Sequence, residues 1–366
     1  MNAVRLVSFA ALLAASVSAQ TTTWTSFEDR RGHTMAATPT GGVVMFGGQS
    51  VTQPGVTLGD TNRLSTNNQS WSGGTDGPQP RSNHAMAATT LATATSYVVF
   101  GGLSETGIPT HTTYRYDGTG WGDLTPVNAS LSPPDRSGHA MATNTATHTM
   151  LLFGGFDGTN ALNDVWELNL GTNSWSEHLV FTGSPPARYG HSIGFYPGNG
   201  GSTGRFYVFG GSPFRNDVWE FDPYTDTWTQ KTPANPPPGR RNAAFSYLTG
   251  QGEFVLFGGL SSGGVVRNDT WAYDPAANTW RQDFPVHVPP ARKEHAMSAD
   301  NTGSNLVLLG GTNATNDVLE GTWVWSSSTF DWVEQLPSPT DRNGVAMAYD
   351  STRNRQIGRA SCRERV

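Results

Sequence analysis

Apolar residues in this chain gather into short runs that close on paired glycines. Val43-Val44-Met45-Phe46-Gly47-Gly48 sets the pattern, which returns in runs ending at Gly102, Gly155, Gly211, Gly259 and Gly311. The interval is about fifty residues, the mark of a repeat architecture. Successive positions within each run are apolar, which predicts a short strand covered on both faces. The glycines predict a backbone that leaves the strand through torsions closed to other residues, or that passes close to a neighbour. With 43 glycines, 23 prolines and no long amphipathic stretch, the body of the chain is expected to be without helices.

Constant text surrounds each run. A unit opens on arginine, followed three residues later by histidine in Arg30/His33, Arg81/His84, Arg136/His139, Arg188/His191 and Arg292/His295, whereas Arg240 is followed by Ala243. Small residues come next, predicting a first strand where space is tight, and the apolar run then makes the second. A third strand carries Asp164-Val165-Trp166, Asp217-Val218-Trp219 or Asp269-Thr270-Trp271, and a turn such as Asp222-Pro223-Tyr224 leads to a fourth strand marked by tryptophan. The paired tryptophans (166/175, 219/228, 271/280, 323/332) keep one interval, which predicts a hairpin of fixed length whose two rings do the same packing in each unit. Asn62 and Tyr114 depart from the third-strand tryptophan.

These features together resemble the kelch-repeat β-propellers, with a more distant similarity in fold to the galactose oxidase propeller. The resemblance covers residues 30 to about 350. It implies an all-β fold of four-stranded blades around a central channel. Complete units start at Arg30, Arg81, Arg136, Arg188, Arg240 and Arg292, giving six blades. Residues 345–349 read as the first strand of a seventh, and Trp24 reads as a fourth-strand tryptophan without a blade of its own. The expectation is therefore a seven-bladed ring whose last blade the start of the chain completes.

The two ends change the composition. Residues 1–19 read as a secretory signal peptide, with Arg5, an apolar core and Val17-Ser18-Ala19 before Gln20, so the expected location is extracellular, or periplasmic in a Gram-negative host. The propeller is expected over residues 20–356. Residues 357–366 read as translated sequencing-library adapter, so the only cysteine, Cys362, is not expected to be native. The formal charge is −6. These ends hold Arg5, Arg359, Arg363 and Arg365 against only Glu364, which leaves the body more acidic still. An acidic body is a poor partner for nucleic acid or anionic membranes. No segment besides the leader is apolar enough to suggest membrane insertion.

Candidate chemistry is sparse. The arginine–histidine pairs recur with the period of the fold, so a structural role is expected before a metal site. The copper radical oxidases on kelch propellers use a tyrosine cross-linked to cysteine, which the absence of a native cysteine disfavours. None of the nine histidines completes the Glu-x3-Asp-x3-His iron motif of the specifier proteins, and no hydrolase or P-loop text is present. No cofactor, metal or catalytic residue is expected. What remains is a binding surface, so the expectation is a non-catalytic scaffold for a protein or glycan, bound by the second-to-third and fourth-to-first strand loops, where repeats differ most. Phe156, Asp157, Phe214, Arg215 and Arg267 are the candidate binding residues, since they combine aromatic surface with charge. The alternative is an extracellular carbohydrate-active enzyme, of oxidase or sugar epimerase type.

Overall fold

The computed structural model describes residues 29–37, 42–50, 53–64, 71–91, 94–179, 183–198, 204–300, 302–335, 346–350 and 355–359. The expected signal peptide and Trp24 lie outside them. Residues 30–335 form six antiparallel blades, each laid down from inner to outer strand in chain order. Blade 1 has Thr34–Ala37, Val43–Ser50, Thr57–Leu64 and Trp71–Asp76; blade 2 has Ala85–Leu91, Ala94–Phe100, Thr113–Tyr116 and Trp121–Asp123. Blade 3 has Ala140–Asn144, Thr149–Phe156, Ala161–Asn169 and Ser174–His178; blade 4 has Ser192–Tyr196, Arg205–Phe209, Val218–Asp222 and Thr227–Lys231. Blade 5 has Ala244–Leu248, Glu253–Phe257, Thr270–Asp274 and Thr279–Asp283; blade 6 has Ala296–Ala299, Asn305–Leu309, Thr322–Ser326 and Asp331–Gln335. Helix among the described residues amounts to two 3-10 turns, Ala129–Leu131 and Ser262–Gly264.

The second strands are apolar throughout because each blade is sandwiched between two others. Met150 and Leu152 pack with Val98, Phe100 and Trp175 toward blade 2, while Leu151 and Phe153 pack with Phe206, Val208 and Trp228 toward blade 4. Both sets are fully buried. Burying a side chain of this size contributes about 1.5–3 kcal/mol, so the stability of the ring resides chiefly between blades.

The paired glycines have separate jobs. Gly47 takes φ +66, and a Cβ on it would lie 2.6 Å from the carbonyl of Arg81 in the next blade. Gly48 takes φ +105, and its Cβ would meet the Arg31 carbonyl and the His33 side chain of its own blade. One glycine lets blades touch; the other lets the first strand lie against the second.

That contact also decides the blade number. Gly48, Gly102, Gly155, Gly211 and Gly259 each donate N–H to the arginine carbonyl that opens the following blade, and Gly311 donates to Arg30 of blade 1 at 3.3 Å. A Cβ on Gly310 would meet the Arg30 carbonyl and His33, just as one on Gly47 would meet Arg81 and His84. Trp71 of blade 1 donates to Thr322 of blade 6. Blades 6 and 1 are thus direct neighbours, and the expected seven-bladed ring is corrected to six. All four strands of blade 1 are consecutive in the chain, so closure shares no strand.

Ala346–Asp350 and Arg355–Arg359 belong to a second unit, made from the chain ends, where they pair as an antiparallel hairpin with Tyr349 opposite Gln356. Of the expected first strand over 345–349, the described residues 346–349 lie in a strand. The segment read partly as adapter supplies its partner.

Candidate functional site

The opening arginines are anchors. Arg136 donates Nη1 to the Gly154 carbonyl at 2.9 Å and pairs both Nη atoms with the Asp164 carboxylate at 2.6 and 2.7 Å. Arg30–Asp60, Arg188–Asp217 and Arg240–Asp269 repeat this arrangement, with the arginines buried. Trp166, Trp219 and Trp271 steady the aspartates by donating Nε1 to Oδ2. In blade 1, Asn62 Nδ2 makes that bond to Asp60 instead. Burial alone would raise the Asp60, Asp217 and Asp269 carboxyls, but hydrogen bonds and charge from the paired arginines outweigh it and hold them below the usual range. Blade 2 dispenses with the carboxylate: Arg81 donates to Thr112 and lies 5.0 Å from the Tyr114 ring centre.

The histidines are interblade packing residues. His84, His139, His191 and His295 each stand edge-on to a phenylalanine of the preceding blade (Phe46, Phe100, Phe153 and Phe257). Burial first, and the neighbouring arginine charge second, keep them neutral; His33, His191 and His295 are pushed down to about 3. Among the described residues, no three of His, Cys, Asp and Glu converge as a metal site.

Between each arginine and histidine the chain turns through the left-handed region, at Gly32, Asn83, Gly138, Gly190, Asn242 and Glu294. These six residues form a closed belt around the channel mouth, each donating its N–H to the carbonyl of the preceding member at 2.7–3.2 Å. Beneath the belt is a cavity of about 120 Å³, lined by the belt, the five histidines and Ala243.

The residue just before each belt position faces the second-to-third strand loops, and there a contiguous patch forms. Phe156 lies 5.3 Å from the Tyr189 ring, Arg241 Nη1 donates to the Tyr189 hydroxyl at 3.5 Å, and the Arg241 guanidinium sits 5.3 Å over the Phe214 ring. Phe214 holds φ +114, a backbone conformation uncommon outside glycine. At the same mouth, Glu294 Oε1 accepts from Asn242, with Arg31 at 3.8 Å from Oε2.

Of the residues singled out by sequence, the structure joins Phe156 and Phe214, through Tyr189 and Arg241. Asp157 accepts from the Thr159 and Asn160 amides at 2.6 Å and shapes its own loop. Arg215 follows Phe214 directly, with a buried Nε that has no acceptor among the described residues. Arg267 bonds Ser261 at 2.9 Å in the blade 5 loop, outside the patch contacts. Sequence reasoning missed Tyr189 and Arg241. Their signal was the position directly after the opening arginine, which changes from copy to copy: Arg31, Ser82, Ser137, Tyr189, Arg241 and Lys293.

The model of the KLHDC2/KLHL20/DRC7 Kelch-repeats domain matches residues 32–244 and 121–287. Multiple epidermal growth factor-like domains protein 8 of Mus musculus is 30% identical over 315 residues, 78% of this chain and 11% of that protein. Kelch domain-containing protein 10 of Xenopus laevis is 31% identical over 208 residues, 52% of this chain and 47% of that protein. An F-box/kelch-repeat protein of Arabidopsis thaliana is 27% identical over 247 residues, 61% of this chain and 46% of that protein. The chain spans less than half the length of each of these relatives.

Proposed function

The chain belongs to the kelch-repeat family, and on that premise we propose that it is a secreted, non-catalytic scaffold that holds a protein partner on the loop face around its channel mouth. The observation that carries this reading is the run Phe156–Tyr189–Arg241–Phe214, residues of three consecutive blades joined by aromatic and guanidinium contacts. Aromatic and arginine side chains on a preorganised face supply large contact area at low entropic cost, the composition of interface hot spots. The aromatic faces would also stack on a sugar ring. A protein is favoured because kelch propellers typically bind proteins, and because Arg31, Arg241 and Lys293 outnumber Glu294 around this mouth on a chain of net charge −6. That combination suits an acidic peptide segment bearing an apolar anchor. The leader supports secretion, and the varied loops support recognition on this face.

One experiment addresses both parts. Expressed with its own leader in a secretory host, the chain should appear in the medium beginning at Gln20. That product, used to select a displayed peptide library, should enrich acidic sequences. Arg241→Glu should weaken them at least about tenfold, a loss of the order expected for a charged hydrogen-bonded contact, while Glu177→Lys on an outer strand changes little. Retention inside the cell would sink the secretion reading. Equal binding by wild type and Arg241→Glu would sink the binding face.

A further inference from the structure

One histidine ties two blades together at their outer edges. His178 ends the fourth strand of blade 3, and its Nδ1 lies 2.5 Å from Oδ1 of Asp226, in the turn between the third and fourth strands of blade 4. On the other side of the ring, Nε2 lies 3.6 Å from Oε2 of Glu167 on the third strand of its own blade. Phe221 of blade 4 stands edge-on to the imidazole with 5.4 Å between ring centres, which holds its plane. The charges acting on the ring are these two carboxylates, one from each blade. Other charges on this side of blade 4 are already paired, Arg205 with Asp222 at 2.8 Å and Lys231 with Glu220 at 3.1 Å.

Strand pairing shows what is particular to this place. His178 lies opposite Val165 as Lys231 lies opposite Val218, and Glu167 and Glu220 each stand two residues further along. Blade 4 therefore sets lysine against its glutamate where blade 3 sets histidine. The lysine keeps its charge across the physiological range, and the histidine does not. The residue just before the fourth strand also differs: blade 4 has Asp226, whereas blades 3, 5 and 6 have Asn173, Asn278 and Phe330. Among these blades only the junction of 3 with 4 pairs a titrating base with a carboxylate across the gap.

We propose that His178 is an acid-closed latch between the outer edges of blades 3 and 4. Protonated, the ring donates from both nitrogens, to Asp226 and toward Glu167. Neutral, it has one proton for two carboxylates, so one nitrogen turns a lone pair on a carboxylate and the turn at 223–226 loosens from blade 3. Only 14% of the His178 side chain is exposed, which limits screening of this change by solvent.

Amide exchange of the full chain, corrected for the intrinsic effect of pH, reads the latch. Exchange at residues 223–227 should quicken at least about threefold between about pH 6 and about 8.5, the opening expected when a partly buried charge pair is lost. That sign separates the latch from acid unfolding, which exposes every blade as pH falls. His178→Lys places the cation of blade 4 at this position and should keep the turn closed at both pH values, while His178→Gln should abolish the step. A turn whose exchange does not change with pH, or a step that survives in His178→Gln or His178→Lys, would overturn the proposal.

Discussion

The fourth-strand tryptophans reach back to the third strand of the preceding blade, and a single side chain decides what each indole finds. Trp71, Trp121, Trp175 and Trp332 donate to Thr322, Thr61, Thr113 and Thr270 at 2.9–3.1 Å. Where valine replaces threonine, at Val165 and Val218, the packed indoles of Trp228 and Trp280 have no acceptor among the described residues. Val165→Thr and Val218→Thr should each therefore stabilise the protein by about 1 kcal/mol, and Thr113→Val should destabilise it by a similar or larger amount. Urea unfolding would show this directly, and a lower midpoint in both threonine variants would rule it out. The sequence displays every letter of this pattern, including the fixed tryptophan interval. It conceals the partner, because the bond crosses between blades and no local period links Trp175 to Thr113. The same blindness hid Tyr189 and Arg241, whose contacts with Phe156 and Phe214 span loops from different repeats.

In five of the six blades a buried histidine stands immediately before the first strand, and this makes the element sensitive to acid. Five imidazoles (His33, His84, His139, His191 and His295) stay neutral in the folded chain well below the pH at which they protonate when unfolded. Between about pH 6.5 and about 3 the unfolded state binds more protons, so stability falls as pH drops. Each histidine contributes a slope of about 1.4 kcal/mol per pH unit once its unfolded form is protonated. His178 acts in the opposite sense. Burial would lower it, but the Glu167 carboxylate 3.6 Å away and a hydrogen bond to Asp226 outweigh this and raise it, so its contribution is present at low pH and fades as pH rises through its folded value. Five against one leaves acid destabilising. His139→Ala should flatten the fall in urea midpoint between pH 7 and 5, since blade 5 already accommodates Ala243 at this position; an unchanged slope would refute the assignment. The strand order and diglycine were legible at this scale because blade packing imposes them on every copy. The substitution of Asn62 for a tryptophan was visible only as a departure, since its compensating bond to Asp60 depends on strand pairing.

At the scale of the whole molecule, repeat counting found six units but could not find the closure, because the angle between blades is set by packing and not by any residue pattern. The closure itself is uneven. Five junctions between blades are also joined by the chain, while among the described residues blades 6 and 1 meet through side-by-side contacts alone. Their hydrogen bonds are the longest of each series: 3.2 Å for Gly32 to Glu294, against 2.7–3.1 Å elsewhere in the belt, and 3.3 Å for Gly311 to Arg30, against 2.8–2.9 Å at the other five glycines. In hydrogen exchange, the amides of Gly32 and Gly311 should therefore lose protection before those of Gly138 and Gly155; the reverse order would show the junction to be no weaker than the rest. A hoop with one unriveted joint has a further property. Sprung open, it presents two different ends that fit each other, so the open form of one chain can capture the open form of another. Such a joint is heterologous, and repeated head-to-tail capture builds larger rings or filaments from the same six blades.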